Sequence, residues 1–166
     1  MKHTMRRFKQ RLSEEDAKEI LCKGTNGVLS LADADGTPYG VPLSYVYDGG
    51  RHIYFHSAVE GHKIDCINAH PCCSFCVVGQ DRIVPEEFTS YFRSVIVKGR
   101  IVRVSEPEEI RKGLLLLCEK YAPGLNPEAE IAKHLDHVAV LRLDIESLSG
   151  KEAIELVDKH DFKKNT

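Results

Sequence analysis

From Gly27 onward, apolar and polar positions alternate in short bursts separated by turn-forming residues, a period of two that predicts β-strands. Gly27 to Ala32 reads as a first strand, and Asp33-Ala34-Asp35-Gly36 as a tight turn carrying the Asp-Gly pair that hairpins favour. Pro38 to Tyr47 is a second strand, with Val41, Leu43, Tyr45 and Tyr47 on one side. Pro42 withholds a ladder donor in mid-strand, which places this strand at an edge or a bulge. Asp48-Gly49-Gly50 then turns the chain into His52 to Ala58, completing a meander. Cys72 to Val78 is a fourth strand, and Gly79 to Glu87, with Asp81, Arg82 and Pro85, reads as an exposed loop. Tyr91 to Val104 is long for one strand, so Gly99 is expected to mark a bend or bulge; Val138 to Leu143 makes the last strand.

The pattern switches to helical spacing in four places. Ser13-Glu14-Glu15-Asp16 is a hydroxyl cap followed by acids, and Ala17, Ile20 and Leu21 form the stripe behind it. Glu60 to Asn68 carries Ile64 and Ile67 on one face. Glu106-Pro107-Glu108-Glu109 opens a helix to about Tyr121 with Ile110, Leu114, Leu117 and Cys118 inward, and Pro127 to Leu135 is a shorter one. Short antiparallel strands interrupted by a few helices predict an α+β fold on a small curled sheet or barrel of about six strands. Without a Gly-x-Gly-x-x-Gly motif or strand–helix alternation, a Rossmann site is not expected. The chain divides into an N-terminal arm (1–12), one domain (13–150) and a charged C-terminal tail (151–166), with Lys163 to Thr166 expected to be disordered.

Composition alters little in this picture. A formal charge of -2 gives no reason to expect nucleic acid or an anionic membrane as partner. The basic opening Met1 to Arg11 lacks a signal-peptide apolar run, and Leu114 to Cys118 is too brief to span a bilayer, so a cytoplasmic location is expected. The six cysteines then read as reduced. Cys72, Cys73 and Cys76 cluster, but on a strand Cys73 and Cys76 point to opposite faces, and Cys72 and Cys76 stand about 13 Å apart. They are expected to be small buried hydrophobes, with no metal site; a metal or redox module built on them is the distant alternative.

Candidate chemistry sits where His52-Ile53-Tyr54-Phe55-His56-Ser57-Ala58 gives way to Glu60-Gly61-His62-Lys63. The free N–H groups of a helix start favour a phosphate. Ser57 can donate, Gly61 permits close backbone approach and Lys63 adds a full charge, while Glu60 would oppose an anion unless it points away. The same residues also suit an ordinary strand–helix joint with a solvated lysine.

Gly40-Val41-Pro42-Leu43-Ser44-Tyr45-Val46-Tyr47, the His-Ser-Ala-x-Glu-Gly-x-Lys string from His56 to Lys63, and Tyr91-Phe92-Arg93-Ser94-Val95 together resemble the pyridoxamine 5′-phosphate oxidase-related flavoproteins, most closely the Nim (nitroimidazole-resistance) branch. The resemblance runs in register from about Met5 to Leu143. It implies a split β-barrel homodimer binding FMN at the subunit interface. It further implies that Val41, Pro42, Leu43 and Ser44 border the flavin ring, that His56, Ser57 and Ala58 line the ribityl-phosphate path, that Lys63 meets the phosphate, and that Ser94, flanked by Arg93 and Val95, contacts the flavin. The chain has no tryptophan, so the C-terminal tryptophan and arginine of the vitamin-substrate pocket lack a counterpart. The resemblance therefore implies a relative of that oxidase rather than the oxidase itself.

The expected function is an FMN-dependent oxidoreductase passing electrons from NAD(P)H to a small acceptor such as a nitroimidazole or other nitroaromatic compound. His56 is the one candidate for direct catalysis, as a proton donor, although a packed or ribityl-bonded histidine is the alternative. Tyr45 and Tyr91 either cover the ring or belong to the core. The rival reading is a non-catalytic FMN- or haem-binding protein of the same fold, with His52, His56, His134 and His137 as conceivable haem ligands.

Overall fold

The computed structural model describes residues 5–134 and 137–157. Ser13 caps the first helix, α1 (Glu14–Lys23): its hydroxyl accepts the Asp16 N–H at 3.0 Å, and three acids fill the first turn. Ala17 and Leu21 are its buried positions. β1 (Asn26–Ala32) and β2 (Pro38–Ser44) form a hairpin in which Val28 faces Pro42. The Asp-Gly turn is made as the sequence predicts, Gly36 N–H donating to the Asp33 carbonyl and Thr37 N–H to the Asp35 carboxylate, each at 2.9 Å.

β3 (Val46–Tyr47) pairs with β4 (His52–Ala58). After α2 (His62–Ala69) come β5 (Cys72–Val84) and β6 (Thr89–Arg103), then α3 (Pro107–Tyr121), α4 (Pro127–His134) and β7 (Val138–Glu152). All strands join one antiparallel sheet in the order β2-β1-β5-β6-β7-β4-β3. Because β2 and β3 are separated only by Tyr45, one run of chain forms both ends of the sheet and closes it into a barrel. The barrel is split beyond Tyr45, where β2 leaves β4. Pro42 thus lies on an edge strand, as its missing donor requires.

The interior is filled by Leu21, Leu29, Tyr45, Ile53, Phe55, Phe75, Val95, Val97, Ile101, Leu141 and Leu143, each fully buried. Tyr45 and Phe55 both meet the Phe75 ring edge-on, with centroids 4.9 and 5.1 Å away. A smaller core of Val46, Tyr54, Val104, Leu117 and Val140 lies under α3.

Gly99 is a bulge: the β6–β7 register shifts between Lys98 and Gly99, and a Cβ there would stand 2.0 Å from the Asp144 carbonyl oxygen. Three expectations need correction. The expected loop from Gly79 continues β5 to Val84, pairing with Thr89 to Arg93 past a register shift at Val78/Gln80; only Pro85–Glu87 and Phe88 make the reversal. The sheet has seven strands because Tyr45 divides the second one. The last strand runs on to Glu152 instead of ending at Leu143, so Lys151 and the buried Glu152 are sheet residues. On the arm, Gln10 and Leu12 are buried, and Leu12 N–H donates to the Gly150 carbonyl at 3.1 Å. Leu135 and Lys163 to Thr166 lie outside the described residues.

Candidate functional site

The split brings two of the predicted segments together. β3 and β4 pair at Val46–Tyr54 and Tyr47–Ile53; continuing that register carries Ser44 towards His56, where the strands diverge. A cleft of about 480 Å³ opens there, floored by Ser44, His56 and Val138 and walled by Leu114, Leu117, Cys118 and Tyr121 of α3 and by Ile131 and His134 of α4. Its size falls in the range of small-molecule sites, and its lining is mostly apolar with a few polar groups. Period-two alternation explains which β4 side chains reach it: His56 and Ala58 face outward, whereas Ser57, 8% exposed, lies on the opposite face with Phe55. On β2 the same alternation exposes Pro42 and Ser44 and half-buries Val41 and Leu43 against the core.

Tyr121 fixes the point of divergence. Its hydroxyl accepts the Tyr45 N–H at 3.0 Å, lies 2.8 Å from the Tyr45 carbonyl and also meets the Thr25 carbonyl. The Tyr45 hydroxyl donates to the Leu21 carbonyl at 2.8 Å, and burial pushes its pKa upward. Tyr45 is therefore core, as is Tyr91, whose hydroxyl donates to Glu87 at 2.6 Å; neither ring is free to cover a ligand. Tyr121 and Ile131 are not distinguishable from sequence as site residues, because the helices bearing them meet β2 and β4 only through tertiary packing; His134, a conceivable haem ligand by sequence, does line the cleft.

Past Ala58 the chain turns at Gly61, which caps α2 at φ 125 and ψ 168, a conformation essentially restricted to glycine. The first N–H groups of α2 have no intrahelical acceptor. Lys63 stands in that first turn, half-buried, and burial alone lowers its pKa below the ordinary lysine value. No carboxylate among the described residues pairs with its ammonium group. A partly desolvated cation at an open helix start fits an anionic group such as a phosphate. Glu60 and His62 are exposed.

Arg93, Ser94 and Val95 stand elsewhere. Across the sheet Pro42 faces Val28, Val28 faces Cys76 and Cys76 faces Ile96, so the two segments are three strand spacings apart, about 14 Å. Arg93 Nε donates to the buried Glu152 carboxylate at 3.0 Å, Ser94 is half-buried, and the Val95 side chain is wholly in the core. The row itself is apolar and faces outward, with Val28 42% and Ile96 43% exposed and Val78 near them at 62%.

Among the histidines, His52 is held by Asp48 at 2.8 Å and faces Asp144 at 3.5 Å, and His134 Nε2 lies 3.0 Å from Glu130. His56 and His134 line the cleft; His52 and His137 are not among its lining residues. The strand register puts Cys73 against Gly99 and Cys76 against Ile96 on opposite faces, and burial lifts the Cys73 thiol to about 12. All six cysteines are free. No helix among the described residues is long and apolar enough to cross a membrane.

The fold recurs in solved structures. A candidate 5-nitroimidazole antibiotic resistance protein from Bacteroides thetaiotaomicron is 20% identical, with 86% of each chain covered and a TM-score of 0.74. The flavocytochrome Anf3 from Azotobacter vinelandii is 23% identical over 91% of this chain and 72% of that one, with a TM-score of 0.76. An FAD-binding protein from Mesorhizobium loti is 27% identical over 86% and 96%, with a TM-score of 0.63. A comparison with curated proteins gives no match. Residues 13–152 match the family model described as pyridoxamine 5′-phosphate oxidase, and the chain belongs to that family.

Proposed function

We propose that the protein is an FMN-dependent oxidoreductase in which the phosphate is held at the start of α2 and the flavin ring lies along β2 at the split. The observation that carries this reading is Lys63: half-buried, without a counter-charge among the described residues, and placed in the first turn after β4. Gly61 allows the chain to enter that turn, and the Val41–Ser44 backbone, at an edge strand, has groups left for a ring to bond. FMN is a flavin, as is the ligand named for the Mesorhizobium relative, and the Anf3 relative is by name a flavocytochrome.

Flavin held by Lys63, the start of α2 and the Val41–Ser44 edge would supply electron transfer between NAD(P)H and a small acceptor such as a nitroimidazole or another nitroaromatic compound. The chain supplies the surroundings. Leu114, Leu117 and Ile131 keep water from the cleft, Ser44 offers a hydroxyl at its floor, and the outward-facing His56 imidazole delivers a proton to the reduced acceptor. The protein works as a homodimer, with the outward row of Pro42, Val28, Cys76 and Ile96 as part of the interface and Arg93 and Ser94 reaching the flavin bound by the partner, while Val95 stays in the core. That arrangement accounts for predicted site residues standing three strands apart in one chain.

The test is the absorption spectrum of the purified protein and its response to electrons. A yellow protein, bleached by NAD(P)H under argon and reoxidised by a nitroimidazole, supports the reading; a colourless one that takes up no added FMN refutes it. A second reading, haem binding without turnover, is favoured by His56 and His134 lining one apolar cleft. It requires a sharp Soret band on haem addition that disappears in His56→Ala or His134→Ala.

A further inference from the structure

Away from the cleft, the β1–β2 turn and α2 bring three different ligand atoms to one point. Asp33 Oδ1 is 3.1 Å from Cys66 Sγ and 3.2 Å from His62 Nε2, and the sulfur and nitrogen are 3.9 Å apart. Tetrahedral zinc, with Zn–S near 2.3 Å and Zn–N or Zn–O near 2.0–2.1 Å, requires edges of about 3.3 Å between nitrogen and oxygen and about 3.6 Å to sulfur. The three separations bracket those values without any change of backbone.

We propose that Asp33, His62 and Cys66 form a Zn²⁺ site. The donor set of thiolate, imidazole and carboxylate suits this borderline-soft ion and is poorly suited to calcium or magnesium, which take oxygen. His62 and Cys66 are four apart on α2 and so share its face, and Cys66 is buried beneath them. The Tyr39 ring meets the His62 imidazole edge-on at 4.5 Å, which fixes the plane from which Nε2 points at Asp33. On binding, the thiol proton leaves to solvent, the imidazole offers its Nε2 lone pair, and solvent takes the fourth position from the side where Asp33 and His62 are partly exposed. The ion ties the turn after β1 to α2. The site uses neither the cleft nor the Lys63 ammonium group, so it stands whether or not FMN binds.

The protein, dialysed first against a chelator and then against plain buffer, is titrated with Zn²⁺ in competition with a chromogenic indicator, and separately with Co²⁺. The expected result is one Zn²⁺ per chain, with Co²⁺ giving strong tetrahedral d–d bands and a sulfur-to-metal charge-transfer band. His62→Ala, at an exposed position that leaves the core intact, weakens binding by more than the roughly 10- to 100-fold that loss of an outer-shell partner costs. Cys66→Ser abolishes the charge-transfer band; should it fail to fold, Asp33→Asn takes its place, with loss of Zn²⁺ affinity as the readout. A chain that retains no stoichiometric Zn²⁺, or one whose affinity is the same in His62→Ala as in the wild type, overturns the proposal and leaves the three residues as a hydrogen-bonded triad.

Discussion

Replacing Lys63 with Met separates the two consequences of its position. The substitution keeps an unbranched apolar stem and removes a charge that burial already disfavours, as the lowered pKa records. Because no carboxylate among the described residues pairs with that charge, the ligand-free fold loses no ion pair. Its urea midpoint is expected to stay the same or rise slightly. The phosphate, by contrast, loses a hydrogen bond to a charged group, about 1.5–3 kcal/mol, or roughly 10- to 150-fold in Kd. Binding is weakened rather than abolished, since the α2 N–H groups remain. The loss also has a pH signature. The Lys63 pKa is depressed in the free protein, and a bound phosphate favours the protonated form, so the wild-type advantage is largest where Lys63 is protonated. It fades as pH rises through the lowered lysine value, below the ordinary 10.5. FMN fluorescence titrations of both proteins from neutral to alkaline pH, alongside urea melts, measure all of this. Equal FMN affinities, or a ligand-free Lys63→Met protein clearly less stable than wild type, would refute the reasoning.

Tyr121→Phe removes the hydroxyl that holds the backbone of Tyr45 at the point of divergence; about 1–2 kcal/mol of stability should be lost in urea melts, together with a weaker FMN complex. Arg142 donates from Nη1 to both Glu109 oxygens at 2.7 and 2.8 Å and forks onto Asp144 through Nε and Nη2 at 2.6 and 3.1 Å, so Arg142→Met should cost about 1.5–3 kcal/mol at neutral pH. The hydrogen bond from Arg142 keeps the Glu109 carboxyl below its ordinary 4.5; the contribution is therefore present above that pH and is lost as pH falls through the lowered value. Urea midpoints of the two proteins should converge in acid.

Most of the elements were legible because local chemistry and burial agreed. Ser13 and its following acids capped a helix, Asp35-Gly36 turned a hairpin, Pro42 fell on an edge and Gly99 on a bulge. Gly79 to Val84 misled because this far end of the β5–β6 hairpin is largely exposed, so no side of it carries an apolar stripe. The extension of β7 past Leu143 is likewise specified by its partner β6 rather than by its own polar sequence. Local pattern and resemblance singled out the segments around Ser44, His56 and Lys63, and the fold brings Ser44 and His56 to one cleft. The wall of the cleft could not be read in this way, since Leu114, Leu117 and Cys118 look the same whether a helix covers core or ligand. Nor could the partnership of Asp33 with His62 and Cys66, which closes across about thirty residues and exists only once α2 has docked beside the β1–β2 turn.

The place of β7 in the sheet sets the order in which this chain can mature. It lies between β6 and β4, so until Val138–Glu152 is synthesised the growing polypeptide owns two pieces of sheet, β2-β1-β5-β6 on one side and β4-β3 on the other, linked through Tyr45 but not yet bonded across the gap that β7 fills. Each then exposes a full row of unanswered amides and carbonyls along the gap. Until β7 emerges, a nascent chain of this design carries open borders that invite pairing with a neighbour, and it seals both of them in one insertion.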